Sequence, residues 1–301
     1  MSDWVVEVDG VSRRFGRTVA LDDVSYRASE GRVYGLVGVN GAGKTTLIKH
    51  LLGLLRAKSG TVRVFGLDPV RYPVEVLRRI GYLSEERELP EWMRIDELMR
   101  YTQAFHPNWD MRYAHELLAT FGLDADKKVK DLSKGMRAQV GLVAAVAHRP
   151  DLLILDEPST GLDPIVRQDI LDAVVRTVAD DGRTVLFSSH LLDEVERMSD
   201  HVTMIHEGHI VLDGTLERVR SEHLRTQVRF EEPLDRAPTI EGALTVEGGG
   251  RSWSVIHNGS PDRFRASVAL QQGEVVQSRE ATLEEIFVAR VGRTPAPAEA
   301  A

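Results

Sequence analysis

The densest chemistry in the chain lies in one run, Gly38-Val39-Asn40-Gly41-Ala42-Gly43-Lys44-Thr45-Thr46. Its first eight residues fit G-x-x-x-x-G-K-[ST], a loop whose backbone N–H groups cradle phosphate. The glycines allow tight turning and close approach of backbone to phosphate oxygens. Lys44 supplies positive charge for the β- and γ-phosphates, and the Thr45 hydroxyl is a ligand for Mg²⁺. Residues 32–37 read as a buried strand and residues 45–55 as a helix. The loop therefore ends at a helix N-terminus, where the dipole and free N–H groups favour an anion.

Two acids and a histidine complete the candidate chemistry. Residues 151–156 read as a strand with an apolar interior that ends in Asp156, and Glu157 follows directly. Strands of an open parallel sheet present their carboxyl ends to the ligand crevice. There Asp156 would hold Mg²⁺ beside Thr45, usually through water. Glu157 is placed to orient or deprotonate an attacking water. His190 follows the next buried strand, residues 184–188. Beside the two acids, its ring can hydrogen-bond a γ-phosphate and that water.

The elements that must position these groups alternate. Strand readings at 4–8, 19–27, 61–66, 80–83, 151–156 and 184–188 are interspersed with helices near 73–79, 132–147, 164–179 and 190–198. A pair of short strands around Glu207-Gly208 closes the series. Such alternation predicts an α/β fold with a largely parallel sheet covered on both faces. Between Glu85 and Lys130 strand signals vanish and helical spacing takes over. Tyr82, Trp92, Tyr101, Phe105, Trp109 and Tyr113 cluster in or just before this stretch. They read either as the core of a small helical subdomain over about 86–148 or as a docking surface for a partner helix.

Beyond about residue 222 short strands recur, at 227–230, 244–246, 253–256 and 275–276. Thr282-Leu-Glu-Glu285 is a capping box that opens a helix with Leu283, Ile286 and Phe287 on one face. The prediction is a phosphate-loop domain over 1–220, a small α+β C-terminal domain over 221–293, and a disordered tail at 294–301.

The net charge of −8 disfavours a nucleic-acid binder that works by neutralising phosphates. No cysteine is present, which excludes disulfides, thiolate nucleophiles and cysteine metal sites. The N-terminal residues show no basic stretch followed by an apolar core, so no signal peptide is expected. Apolar runs such as 142–147 are too short to span a bilayer, so a membrane role needs another chain to do the spanning.

Five motifs stand together: the phosphate loop, Leu132-Ser-Lys-Gly-Met136, Asp156-Glu157-Pro158, Thr160-Gly-Leu-Asp163 and His190. In order and spacing they resemble the ATP-binding subunits of ABC transporters, over about residues 4–220. The resemblance implies a phosphate-loop NTPase with an ABC-type helical subdomain and an N-terminal β-subdomain, binding ATP and Mg²⁺. It implies that Ser133 and Gly135, in the signature loop, contact the γ-phosphate of ATP held by a second subunit. Thr160–Asp163 matches the loop that crosses the dimer interface, and Phe15 the aromatic that stacks on adenine. Two departures stand out. The signature reads Ser-Lys-Gly-Met where Ser-Gly-Gly-Gln is commonest. Ser84, Glu85 and Glu86 stand where the family usually has a glutamine, and Glu85 aligns with it as a Mg²⁺ ligand. These departures and the C-terminal domain resemble the bacterial subgroup that drives separate, multi-span membrane exporters of drugs, peptides or lipids. The resemblance further implies a homodimer or a paralogous ATPase partner, and a cytoplasmic place on the inner face of the membrane.

The residues disfavour two rival classes. A soluble ATPase of this superfamily acting on ribosomes or nucleic acid would carry a long coiled coil or two cassettes. No sustained heptads lie between Lys44 and Ser133, and there is one cassette. A catalytically dead regulatory cassette conflicts with intact Lys44, Asp156, Glu157 and His190.

Overall fold

The computed structural model describes residues 4–292, except that in one helix the side chains of residues 173–181 fall outside the description. The tail expected at 294–301 lies outside the described residues.

β1 (Trp4–Phe15) and β2 (Thr18–Ser29) form an antiparallel hairpin whose turn uses Gly16 at φ 57°. β3 (Val33–Val37) is buried at every position and runs through the phosphate loop into α1 (Lys44–Leu51). β4 (Ser59–Val64) returns to pair antiparallel with β1, completing a three-stranded sheet in the order β2-β1-β4. α2 (Pro73–Leu77) starts on a proline, which loses nothing at a position whose N–H has no helical partner. β5 (Ile80–Leu83) follows.

Helices then take over, as the 3.6-residue spacing predicts. α3 (Ile95–Gln103), α4 (Met111–Thr120) and α5 (Lys134–Val146) pack around Ile95, Met99, Trp109, Leu118, Val140 and Val143. Asp110 caps α4 by accepting the Tyr113 N–H at 2.9 Å. β6 (Leu152–Asp156), α6 (Pro164–Asp181), β7 (Thr184–Ser189), α7 (Leu192–Met198) and β8 (His201–His206) restore the alternation. β9 (His209–Thr215) turns back from β8 through Glu207 and Gly208, both at positive φ, the geometry of a tight hairpin turn.

The large sheet runs β5-β6-β7-β3-β8-β9, and its four pairings from β5 to β8 are parallel. β3, β6 and β7 bury every residue, which is why they read as continuous apolar runs rather than alternating ones. Strand register decides which residues become neighbours at the sheet edge. Val37 lies opposite Ser189 and Asp156 opposite Ser188. The residues that leave β3, β6 and β7 at their carboxyl ends therefore emerge side by side.

The chain forms two compact units, the first running up to Ile210 and the second starting at Val211. The boundary at 220 read from the sequence falls within α8 (Leu216–Glu222), which lies in the second unit and packs on β10 (His223–Leu234). That unit adds β11 (Ala243–Asn258), α9 (Pro261–Ala269), β12 (Gly273–Glu280) and α10 (Leu283–Val291). Its antiparallel sheet runs β11-β10-β12, with Val228, Phe230, Trp253, Val255 and Phe264 in the core. Neither α8 nor α9 is anticipated by the sequence reading. The capping box is present in full: Thr282 Oγ1 accepts the Glu285 N–H at 3.3 Å, and Glu285 Oε2 accepts the Thr282 N–H at 3.0 Å.

Candidate active site

The phosphate loop closes tightly on its surroundings. A Cβ on Gly38 would fall 2.3 Å from the Ile205 carbonyl oxygen, and one on Gly43 2.5 Å from that of Ala20. Gly43 also sits at φ 119°, where a side chain is strained. Both positions therefore demand glycine, Gly38 for contact and Gly43 for contact and conformation together. The first turn of α1 leaves N–H groups with no intrahelical partner at this point.

A cleft of about 340 Å³ opens there, lined by residues 40–46 together with Glu85 and Glu157. Three separate segments thus meet: the loop after β3, the loop after β5 and the end of β6. Lys44 is buried, and its Nζ donates to the Gly38 carbonyl at 2.6 Å and the Val39 carbonyl at 3.3 Å. The same ammonium lies 3.0 Å from Glu157 Oε1. Glu157 Oε2 accepts from His190 Nδ1 at 2.7 Å and from Thr160 Oγ1 at 3.0 Å. Burial alone would raise the Glu157 carboxyl. The hydrogen bonds from Lys44 and His190 outweigh it and hold the group below the usual glutamate range. Glu157 is thus a buried, ionised carboxylate at working pH.

Ser188 fixes both acids at once. Its hydroxyl donates to Asp156 Oδ1 at 2.7 Å and accepts the Glu157 N–H at 3.0 Å. Glu157 itself sits at φ 50°, a conformation uncommon outside glycine, and held here by its neighbours. Buried Glu194 accepts from Ser159 at 2.8 Å and Ser189 at 3.1 Å, and pairs with Arg167 at 3.1 Å. This ties the segment after Glu157 to the segment before His190. Reading the sequence missed Ser188 and Glu194, since a serine in a buried strand and a glutamate in a short helix carry no pattern of their own.

The donor set suits Mg²⁺. Among the described residues no group of three or more His, Cys, Asp or Glu converges on a metal position. Mg²⁺ is ordinarily held by one or two carboxylates together with substrate phosphates. The Thr45 hydroxyl and Glu85 in the cleft, with Asp156 at the β6 end, are hard oxygen donors of that kind.

Other sequence-predicted residues stand apart from the cleft. Phe15, at the end of β1, is 47% exposed with the Arg13 guanidinium 4.8 Å from its ring centroid, and it does not line the cleft. Ser133 is the N-cap of α5 and accepts the Met136 N–H at 3.2 Å. Gly135 is buried against Val166 of α6, where an added Cβ would lie 3.1 Å away. Lys134 lies over Gly161: a Cβ there would be 2.5 Å from its Nζ. The aromatic cluster divides by burial. Trp109 is core, 9% exposed, whereas Trp92 is 72% exposed.

A nucleotide-phosphate loop at the carboxyl edge of a parallel sheet, facing a buried carboxylate, defines a phosphate-loop NTPase. Comparison with known proteins narrows this. The family model described as ABC transporter matches residues 21–160. The chain is 37% identical over 227 residues to the daunorubicin resistance ATP-binding protein DrrA3 of Streptomyces coeruleorubidus, covering 74% of this chain and 72% of that one. It is 27% identical over 288 residues to the ABC transporter ATP-binding protein YtrB of Bacillus subtilis, covering 96% and 98%. A solved ATP-binding subunit of an ABC transporter superposes with TM-score 0.67 at 31% identity, over 72% of this chain and 92% of that one. The chain belongs to the ATP-binding subunits of ABC transporters, and it is an ABC-type ATPase.

Proposed function

We propose that this chain hydrolyses Mg·ATP as one of two paired cassettes, and so drives export through a separate multi-span membrane subunit. The observation that carries the reading is the Lys44–Glu157 ion pair in the phosphate-loop cleft, with His190 bonded to the same carboxylate. With a triphosphate in the cleft, Lys44 and the α1 N–H groups bind its phosphate oxygens. Glu157 holds the attacking water and takes its proton, while His190 and Thr160 keep the carboxylate aimed. Thr45, Asp156 and Glu85 would hold Mg²⁺, which neutralises charge on the phosphates. Ser133 and Gly135, remote from this chain's own cleft, serve the ATP of the partner cassette, either a second copy or a paralogue. Phe15 offers its exposed ring to adenine.

Among the described residues no helix is long and apolar enough to cross a membrane. One observation supports membrane coupling. An apolar groove of about 700 Å³ lies between the 73–89 segment and the helical subdomain, lined by Val74, Leu77, Leu89, Phe105 and Ala144. Val74 and Phe105 are exposed there, and this is where a cytoplasmic helix of the membrane subunit docks, on the inner face of the membrane. Export of a drug- or peptide-like cargo is supported by relatives named for daunorubicin resistance and bacitracin transport.

The test is co-purification of the full chain with its membrane subunit, followed by reconstitution in vesicles. Cargo movement should require ATP and stop in Lys44→Ala. Recovery of no membrane chain, or cargo movement independent of Lys44, refutes the reading.

A further inference from the structure

Arg87 lies two residues beyond Glu85, at φ 50°, and only 4% of it is exposed. No carboxylate pairs with it among the described residues. Instead its Nη2 donates to two backbone carbonyls, Pro158 and Thr160, each at 2.9 Å. Its Nε and Nη1 have no hydrogen-bond partner among the described residues. A guanidinium stripped of water without an ion pair is costly, and unsatisfied buried donors call for a reason.

The two carbonyls supply that reason, because they flank Ser159 in the turn that directly follows Glu157. Within that turn the Thr160 N–H donates to the Glu157 carbonyl at 3.2 Å, and the Thr160 hydroxyl donates to the Glu157 carboxylate at 3.0 Å. Glu157 is in an uncommon backbone conformation that its surroundings must hold. Glu194 secures the turn from one side through Ser159. Arg87 secures it from the other, and its own loop is closed by the Arg87 N–H donating to Ser84.

We propose that Arg87 is a positioning residue for hydrolysis: it clamps the Pro158–Thr160 turn and, through the Thr160 hydroxyl, aims the Glu157 carboxylate. It touches neither nucleotide nor reacting atoms. The inference rests on Glu157 as the base, and its test is separable from that reading.

Steady-state hydrolysis, nucleotide affinity by a fluorescent ATP analogue, and melting temperature are measured on the full chain. Losing two charge-assisted hydrogen bonds should lower kcat of Arg87→Ala about 10- to 100-fold while nucleotide affinity stays within about twofold. Millimolar guanidinium should restore part of the rate, by reoccupying the place between the two carbonyls. Arg87→Lys keeps the charge without the planar fork and should remain below wild type. Thr160→Val should be slow as well, and the Arg87→Ala/Thr160→Val double variant no slower than the slower single, since both act on one turn. Should Arg87→Ala fail to fold, Arg87→Lys in the same cycle with Thr160→Val gives the answer. Wild-type kcat in the Arg87 variant, or effects that multiply in the double variant, overturns the inference. Wild-type turnover in Glu157→Gln would instead overturn the base assignment beneath it.

Discussion

Replacing Glu157 with glutamine removes one charge and keeps the side-chain shape. Oε2 accepts from His190 and Thr160, and an amide oxygen can still accept both bonds. The amide nitrogen then faces Lys44 across the 3.0 Å now spanned by the ion pair, so that pair is lost and replaced by two donors in contact. Lys44 retains the Gly38 carbonyl at 2.6 Å, so the phosphate loop keeps its form. The expected cost to the fold is about 1–3 kcal/mol, that of a charged group losing its partner. The chemical cost is larger. Removing a positioned general base costs about 10²- to 10⁴-fold in kcat. ATP should bind and turn over slowly, and light scattering should show an ATP-dependent dimer that persists. The pH dependence follows from the lowered native pKa of Glu157. A depressed carboxylate contributes stability that is full above the ordinary glutamate value of about 4.3 and is lost as pH falls through the native value. Acid melting of wild type should therefore steepen below about pH 4.3, and the glutamine variant should lack that component. Phosphate release at the wild-type rate, or loss of nucleotide binding in a folded variant, refutes the assignment.

Trp109→Ala should cost the helical subdomain about 3–5 kcal/mol in denaturant melts, since Trp109 is a core side chain, whereas Trp92→Ala should change stability by less than about 0.5 kcal/mol. If Trp92→Ala also leaves recovery of the membrane subunit unchanged, its exposed ring has no part in docking. Glu85→Ala should raise the Mg²⁺ needed for half-maximal hydrolysis, and Glu85→Gln should be tolerated; an unchanged magnesium titration in Glu85→Ala removes Glu85 from the metal site. In the C-terminal unit, burial opposes ionisation of Glu285, but Arg279, the Thr282 N–H and Arg225 hold its pKa down to about 2. Glu285→Gln should lower the melting temperature at pH 7, corresponding to about 1–3 kcal/mol, and the difference from wild type should shrink as pH falls from about 4 towards 2. A chain ending after Thr215 keeps β9 whole and should bind ATP with wild-type affinity; weakened binding in a folded truncation would tie the C-terminal unit to the site.

Much of the frame was legible because it is written locally. The phosphate loop is one contiguous pattern between a buried strand and a helix. β3, β6 and β7 announce themselves as apolar runs since both of their faces are covered. The capping box of α10 is a four-residue signature, and the structure contains both of its bonds. The family followed from five such patterns in order.

What the tertiary structure alone decided is the set of meetings between distant residues. Lys44 and Glu157 pair across the parallel register of β3, β7 and β6, which no local pattern encodes. Trp92 and Trp109 have the same chemistry, yet one is exposed and the other is core, because only packing of α3, α4 and α5 distinguishes their surroundings. Arg87 stands in the sequence among the charges of Glu85-Glu86-Arg87-Glu88. In the fold it is buried and bonded to carbonyls of Pro158 and Thr160. Backbone carbonyls are present at every residue, so a side chain that seeks them leaves no trace in residue types. Local periodicity fixes which segments become strands and helices, whereas contacts across the chain depend on register and packing, which form only when the whole sheet closes.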